Sequence, residues 1–310
     1  MKISRPRQRL AAALAVAWLT GPLFAPLQAG TIDGKSPLVE VEEESNVHFL
    51  FQFDFSDAYI TPRGLYVENQ GLVFQPLLLS FWNIYSNDDA FLNDITVTAG
   101  VWNSFHTRES GADPGNWNEV DPIFGVAYGM GEYLKFETNF TAFRSMVESY
   151  PTSYHMELKL SVNDSSWMGP FALNPYLGYW QELDNKATVV FNPATSSESY
   201  YFTLGVNPGF KVGDVKFEFP TYVNLVGEDF YQQFSGAPGG DGAAVFGSEA
   251  KVSVPLKFIP KDYGFWNAYA GVKYYHLDNA GLLDGNQVLG AQADRDTDLF
   301  QVHTGISMFY

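Results

Sequence analysis

The 310-residue chain has no cysteine, so neither a disulfide framework nor thiol chemistry is open to it. It has few cations: 18 Lys and Arg stand against 35 Asp and Glu, a formal charge of −17. A phosphate backbone wants a basic footprint, so nucleic acid is not an expected partner. No apolar run reaches the roughly 20 residues that a membrane-crossing helix needs. The apolar stretch from Leu10 to Ala25 is broken by Thr20, Gly21 and Pro22. No segment shows a convincing helical period. None of His48, His106, His155, His276 and His303 sits in a metal-ligand spacing such as HExxH, and no GxSxG elbow occurs. The expectation is no metal, no cofactor and no enzyme. Ser104 with His106 and His303 with Ser307 share strand faces, but spacing on one strand cannot place a triad.

What is present begins at the N-terminus. MKISRPRQRL carries Lys2, Arg5, Arg7 and Arg9 and no acid, a short apolar region follows, and Ala29 precedes Gly30. That is the pattern of a secretory signal peptide, so residues 1–29 are set apart from the fold. Without those four cations the formal charge falls from −17 to −21. Residues 30–46, which include VEVEEESN, read as an acidic, solvated segment, and 47–310 as one folded body.

In 47–310, period-2 alternation dominates. In YLKFETNFTAFR, Leu134, Phe136, Phe140 and Ala142 share one face and Lys135, Glu137, Asn139 and Thr141 the other. SYHMELKLSVND, VKFEFPTYVNLV and AKVSVPLKF repeat the pattern. Twelve strands are predicted, at 47–55, 72–85, 92–106, 118–130, 133–146, 153–164, 171–184, 198–212, 215–227, 245–259, 264–278 and 297–310. The second, LVFQPLLLSFWNIY, alternates poorly. Tight connections at 129–132, 213–214 and 260–263 alternate with long polar ones at 107–117, 185–197, 228–244 and 279–296. In an up-and-down meander that puts short turns on one rim and long loops on the other. A soluble β-sandwich would also give regular short strands, but its usual strands of about 5–6 residues are shorter than these. Strands of this length clear the roughly 9–11 residues that cross a bilayer at a tilt. The fold class is therefore all-β: a closed up-and-down antiparallel transmembrane β-barrel.

The chain ends on FQVHTGISMFY, with Phe300, Val302, Ile306, Met308 and Tyr310 on one face. An apolar alternating strand that finishes on an aromatic resembles the terminal strand of the Gram-negative outer-membrane β-barrel superfamily. The resemblance implies an outer-membrane location with periplasmic termini, lipid around the barrel, and a terminal strand read by periplasmic chaperones and the barrel-assembly machinery. That strand must pair with VHFLFQFDF to leave no open edge in lipid.

Alternation then assigns a pore wall. Its candidates are Lys135, Glu137, His155, Glu157, Lys159, Lys211, Lys216, Glu218, Glu249, Lys251, Lys257, Lys273 and His303. Such charges tune which solutes pass, or they form cross-strand ion pairs that fill a narrow interior. Both descriptions can hold for one wall. Pro76, Pro122, Pro175, Pro208, Pro220 and Pro255 fall inside strands, where proline predicts bulges or bends. Tyr66, Trp82, Tyr85, Trp102, Trp117, Tyr128, Tyr133, Trp167, Tyr179 and Trp266 tend toward strand ends, as interfacial girdles require. The expected function is a porin-like channel for small polar or charged solutes. The alternatives are a non-conducting structural or adhesive barrel, and an outer-membrane lipid-modifying enzyme.

Overall fold

A computed structural model describes residues 45–108, 115–185, 199–233, 235–288 and 295–310. Residues 1–29, read as a signal peptide, and nearly all of 30–46 lie outside these residues. In chain order the strands are β1 (Val47–Ser56), β2 (Tyr59–Ile60), β3 (Tyr66–Glu68), β4 (Val73–Ser86), β5 (Leu92–His106), β6 (Trp117–Met130), β7 (Leu134–Ser145) and β8 (Ser153–Val162). They continue as β9 (Tyr176–Asp184), β10 (Tyr200–Val206), β11 (Gly209–Val212), β12 (Val215–Glu218), β13 (Thr221–Val226), β14 (Gly242–Pro255), β15 (Phe265–Leu277) and β16 (Asp298–Phe309). Two short helices, α1 (Ser165–Met168) and α2 (Ala280–Val288), lie in connections. The α2 sequence falls in the long polar connection expected at 279–296, because one short helix shows too little period to stand out.

Neighbours in sequence are neighbours in the sheet, every pairing is antiparallel, and β14–β15 and β1–β16 complete a ring. β10 with β11, and β12 with β13, each make one barrel strand interrupted at Pro208 and Pro220, so the ring has 12 strands. Closure is complete to the last residue: Phe49 and Tyr310 exchange two backbone hydrogen bonds of 2.9 Å. Among the described residues the ring leaves no strand edge to lipid, where an unpaired amide has no water to turn to.

The prolines act differently from the expectation. In the barrel sheet the register shifts lie at Asn83/Tyr85, Leu92/Asp94, Ser104/Phe105, Tyr154/His155 and Asn224/Leu225, none of them a proline. Pro76 and Pro122 keep their register with Phe53 and Val101. Pro175 and Pro255 stand at strand ends, while Pro208 and Pro220 split strands in two. The split is repaired locally, since the Pro208 carbonyl accepts from the Phe219 amide and the Pro220 carbonyl from the Glu249 amide, each at 2.9 Å.

The outward face is apolar and aromatic. Phe124, Leu160, Leu204, Val272, Phe300 and Val302 are exposed in mid-strand. Phe55, Phe74, Phe105 and Trp117 form a stacked stripe across β1, β4, β5 and β6 at centroid spacings of 4.8, 6.0 and 5.7 Å. Near the rim that carries the termini, Phe91, Tyr133, Trp167, Phe171, Phe258 and Tyr263 are exposed. A surface this apolar is solvated by hydrocarbon rather than water, with aromatic bands at the two interfaces. Two residues expected in those bands are inside: Trp102 is buried in the lumen and Tyr66 lies on the segment that enters it.

The rims differ as the connections imply, with three exceptions. The rim bearing the termini has the short turns, yet it also carries 163–175 with α1, and the tight turn expected at 260–263 is part of a longer connection, 256–264. The opposite rim has the long connections, yet 146–152 is short.

Candidate functional site: the barrel interior and its inward-folded segment

Charge inside the barrel is organised as bridged groups. Glu137 takes Lys135 at 2.7 Å and Lys159 at 3.6 Å, the second directly opposite it across β7–β8. Glu218 takes Lys216 at 3.0 Å and Lys251 at 3.4 Å, again with the second directly opposite, across β12–β14. His303 stands between two carboxylates, with Nδ1 at 2.9 Å from Asp54 Oδ1 and Nε2 at 2.9 Å from Glu249 Oε1. Asp54 also accepts from the Tyr269 hydroxyl at 2.8 Å. The His303 side chain fits because Gly271 is its partner on β15; a Cβ there would stand 2.4 Å from Nε2.

Most of the predicted wall residues are therefore on the inner face. Lys135, Glu137, His155, Lys159, Glu218, Glu249, Lys251, Lys273 and His303 are buried, and Glu157 and Lys216 are half-buried. Lys257 is not on the wall, and Lys211 shares a face with Lys216, directly opposite it, at the open end of the barrel. Lys211 is exposed at the end of β11, beside the turn. Lys257 follows β14 at the same rim and pairs with Asp214 of the 213–214 turn, both side chains mostly exposed. Alternation fails at Lys257 because β14 ends at Pro255. Lys257→Ala is accordingly expected to change unfolding stability by less than about 1 kcal/mol, as exposed pairs do, in a denaturant titration of the refolded barrel.

On β16, Phe300, Val302, Ile306 and Tyr310 are exposed and Met308 is half-buried. Gln301 and His303 point inward and are buried. Phe309, which breaks the alternation at the sequence level, stacks on His48 at 5.5 Å and packs against a buried apolar cluster.

That cluster explains the poor alternation of β4. Leu77, Leu79 and Phe81 face inward and pack with Leu50, Trp102, Ile123 and Ala127 from β1, β5 and β6. One side of the lumen is greasy, while ion pairs and tyrosines line the other. The tyrosines lie flat because glycines stand beside them. A Cβ on Gly205, Gly247 or Gly305 would come within 2.2–2.4 Å of the rings of Tyr176, Tyr222 and Tyr269.

Segment 57–72, between β1 and β4, does not extend outward as a loop. It enters the barrel, and Ala58, Tyr59, Ile60 and Leu65 are buried there. A turn is forced by Pro62-Arg63-Gly64, with Gly64 at φ +79° against Leu277, Leu282 and Val245. Walls all round the barrel hold the segment. The Tyr59 hydroxyl donates to Glu119 at 2.9 Å, and Gln301 Nε2 donates to the Ala58 carbonyl at 2.6 Å. Tyr222 and Asn224 both donate to the Pro62 carbonyl at 3.0 Å, and the Tyr231 hydroxyl donates to the Arg63 carbonyl. From α2, Asn286 accepts from the Tyr66 amide at 2.9 Å and donates to the Gly64 carbonyl at 3.0 Å. The Arg63 guanidinium lies over the rings of Phe143 and Trp180, 4.7 and 4.9 Å from their centroids.

Beside this segment the interior is not fully packed. A cavity of about 80 Å³ is lined by Arg63, Trp102, Tyr176, Trp180, Tyr201 and Thr203, among others. A cavity of this size with polar walls holds several waters.

Ser104 does meet His106, at 3.0 Å, and His106 Nδ1 is 3.6 Å from Glu68. Ser104 has no exposed surface, however, and its hydroxyl also accepts from Gln75 at 3.3 Å. A nucleophile must be reached by its substrate, and this one is enclosed. Ser307 does not join His303, whose two nitrogens are taken by carboxylates.

No protein-family model matches the chain, and no curated protein does. Solved structures similar to it are outer-membrane proteins. A NanC porin structure is 12% identical, covers 84% of this chain and 98% of its own, and has a TM-score of 0.41. The COG4313 outer membrane channel from Pseudomonas putida F1 is 11% identical, with 85% and 94% covered and a TM-score of 0.44. OmpT of Vibrio cholerae is 10% identical, with 86% and 99% covered and a TM-score of 0.31. At these values the barrel's own geometry has to carry the functional reading.

Proposed function

We propose that the chain is an outer-membrane channel through which small polar or charged solutes diffuse, with a bore narrowed by its own segment 57–72. The observation that carries this reading is the inward-folded segment. It crosses a lumen rich in ionised and hydroxyl side chains and leaves a polar cavity beside it. A loop folded into a bore sets the width and the local charge that a passing solute meets. In this reading the termini and the short turns face the periplasm, the long connections face outward, lipid surrounds the barrel, and the assembly machinery acts on β16.

The measurement is single-channel conductance of the refolded mature protein in a planar bilayer, with the reversal potential under a salt gradient. Small discrete steps with a cation preference are expected. Glu137 and Glu218 offset two of the four lysines they bridge, and the excess acid of the whole chain outweighs the rest and sets the sign. Anion preference would show that the lysines govern permeation instead.

A second reading has one observation in its favour. The bridged charges are almost wholly buried, as in a plug of protein rather than a water-filled wall. A correctly folded barrel that stays silent even after segment 57–72 is released would establish a structural or adhesive role. The lipid-enzyme reading gains nothing from the enclosed Ser104.

A further inference from the structure

Arg63 is seated the way a bound cation would be. Its guanidinium lies over two aromatic faces at once, 4.7 Å from the Phe143 centroid and 4.9 Å from that of Trp180. It donates to the Tyr201 hydroxyl and, among the described residues, enters no ion pair. Its counter-charge stands further off. Glu119 and Asp121 on β6 hydrogen-bond one another, and both lie in the field of Arg63. A bond between two carboxyl groups contains a proton, so the two together carry one negative charge. Glu157 is a neutral acid here and adds none. The other cation lining the cavity, Lys273, stands opposite Glu249 and acts on Asp54. Arg63 is thus the cation that balances Glu119 and Asp121, and without it the two rings border an uncovered negative charge.

The seating is incomplete. Arg63 Nε is buried without a hydrogen-bond partner, and so is Nδ1 of His155. His155, 1% exposed, lines the cavity and packs on the same two rings, at 4.2 Å from Phe143 and 4.3 Å from Trp180. Its free nitrogen is an acceptor. Ser153 has one hydroxyl proton and gives it to the Asn185 carbonyl at 2.7 Å, so it accepts from His155 Nε2 at 2.8 Å. Nδ1 is then the nitrogen with the lone pair. Arg63 does not serve it, because the backbone that carries the side chain is pinned. Tyr222 and Asn224 hold the Pro62 carbonyl, and Tyr231 holds that of Arg63.

We infer that the Phe143–Trp180 face of the cavity binds a small guanidinium solute, and that the Arg63 side chain is its tethered competitor, which swings aside when the solute arrives. This rests on the channel reading above, because it names the solute class for the same bore, and it agrees in sign with the cation preference expected there. A guanidinium is planar, weakly hydrated and stacks on aromatic faces. Free in solution it has N–H groups all round and no turn to restrain it. It lies on the same rings, covers the charge of Glu119 and Asp121, and donates to Tyr201 and to the His155 nitrogen that Arg63 leaves unmet. A neutral amide leaves the negative charge uncovered. A compact ammonium lacks the plane that the rings favour.

The test uses the full mature barrel refolded in detergent, with tryptophan fluorescence as the readout, since Trp180 is part of the site and Trp102 lines the cavity. The probes, at constant ionic strength, are methylguanidinium, methylurea, which has the shape without the charge, and methylammonium, which has the charge without the plane. If Arg63 covers the rings about nine-tenths of the time or more, it weakens the solute's apparent affinity about tenfold or more. Arg63→Ala should therefore tighten methylguanidinium binding by about tenfold or more. In that variant methylguanidinium should bind about tenfold or more tighter than methylurea, the worth of one charge-assisted contact, and tighter than methylammonium. Folding is checked by heat-dependent gel mobility, and Arg63→Gln, neutral and closer in size, serves if Arg63→Ala does not fold. A folded variant that binds methylguanidinium no tighter than the wild type, or that binds methylurea or methylammonium equally well, would overturn the inference. Conductance of the same preparations separates the two readings. Steps without methylguanidinium binding sink only the solute class, and binding without steps sinks only the channel.

Discussion

Asn286→Ala raises the conductance of the refolded channel severalfold, or shifts it from mostly closed to mostly open. Asn286 is fully buried on α2 and holds the inward segment at two points, the Tyr66 amide and the Gly64 carbonyl. Each hydrogen bond contributes about 0.5–1.5 kcal/mol, so the pair shifts the docked–undocked equilibrium by about 1–3 kcal/mol. That is roughly a fivefold to 150-fold change in the ratio of states. The remaining ties, from Tyr222, Asn224, Gln301 and Tyr231, keep the segment from leaving altogether. The expected record is therefore flickering between a narrow and a wider level. Replacing 58–71 by a short Gly-Ser link removes the narrow level and leaves the wider one steady. The barrel does not depend on the segment for closure, because β1 pairs with both β4 and β16 along its length. Unchanged conductance in both variants would mean that the segment does not control the bore.

The strands could be read in the sequence because a barrel wall in lipid imposes period 2 on every crossing. β5 is predicted at 92–106 and found at Leu92–His106, and β7, β15 and β16 agree to within a residue or two. The turn at 213–214 was equally plain, since Gly213 takes φ +62° and a two-residue hairpin has little choice of sequence. β4 was obscure for a physical reason. The rule that a lumen is polar fails where Leu77, Leu79 and Phe81 pack across the bore, so both faces of the strand are apolar.

The site was half legible. Alternation put Glu137, Lys159, Glu218 and Lys251 on the inner face, and the register then sets Glu137 opposite Lys159 and Glu218 opposite Lys251. It did not reveal Asp54, Glu119 or Asp121, three buried acids on strands assigned correctly but not searched for charge. Nor did it reveal that segment 57–72 turns inward. The signal was there: Ala58-Tyr59-Ile60 and Leu65-Tyr66 flank the Pro62-Arg63-Gly64 turn, and a solvated loop has no use for two apolar patches. Nothing in the sequence joins Arg63 to Phe143 and Trp180, because that contact depends on how three distant pieces meet inside the barrel.

His303→Ala destabilises the barrel by about 3–5 kcal/mol, the usual cost of removing one member of a buried charged group. A neutral imidazole donates from only one nitrogen, yet both nitrogens of His303 stand 2.9 Å from carboxylates. The ring that satisfies both is one that donates from both. Removing it leaves Asp54 and Glu249, 2% exposed each, facing across a gap. Neither can recruit more help cheaply, since Asp54 Oδ2 and Glu249 Oε2 already lack partners. The position magnifies the loss. Asp54 is on β1, His303 on β16 and Glu249 on β14, so the group ties the closing seam to the strand beyond β15. The measurement is the urea midpoint of the refolded protein by tryptophan fluorescence, with the gel-shift temperature as a second readout. Combining His303→Gln with Asp54→Asn and Glu249→Gln should recover most of the loss, because the uncompensated charge is gone and only hydrogen-bond geometry is perturbed. If His303→Ala matches the wild type, the two carboxylates have another source of compensation, and Lys273 on β15, opposite Gln301 and Glu249, is the group to test next.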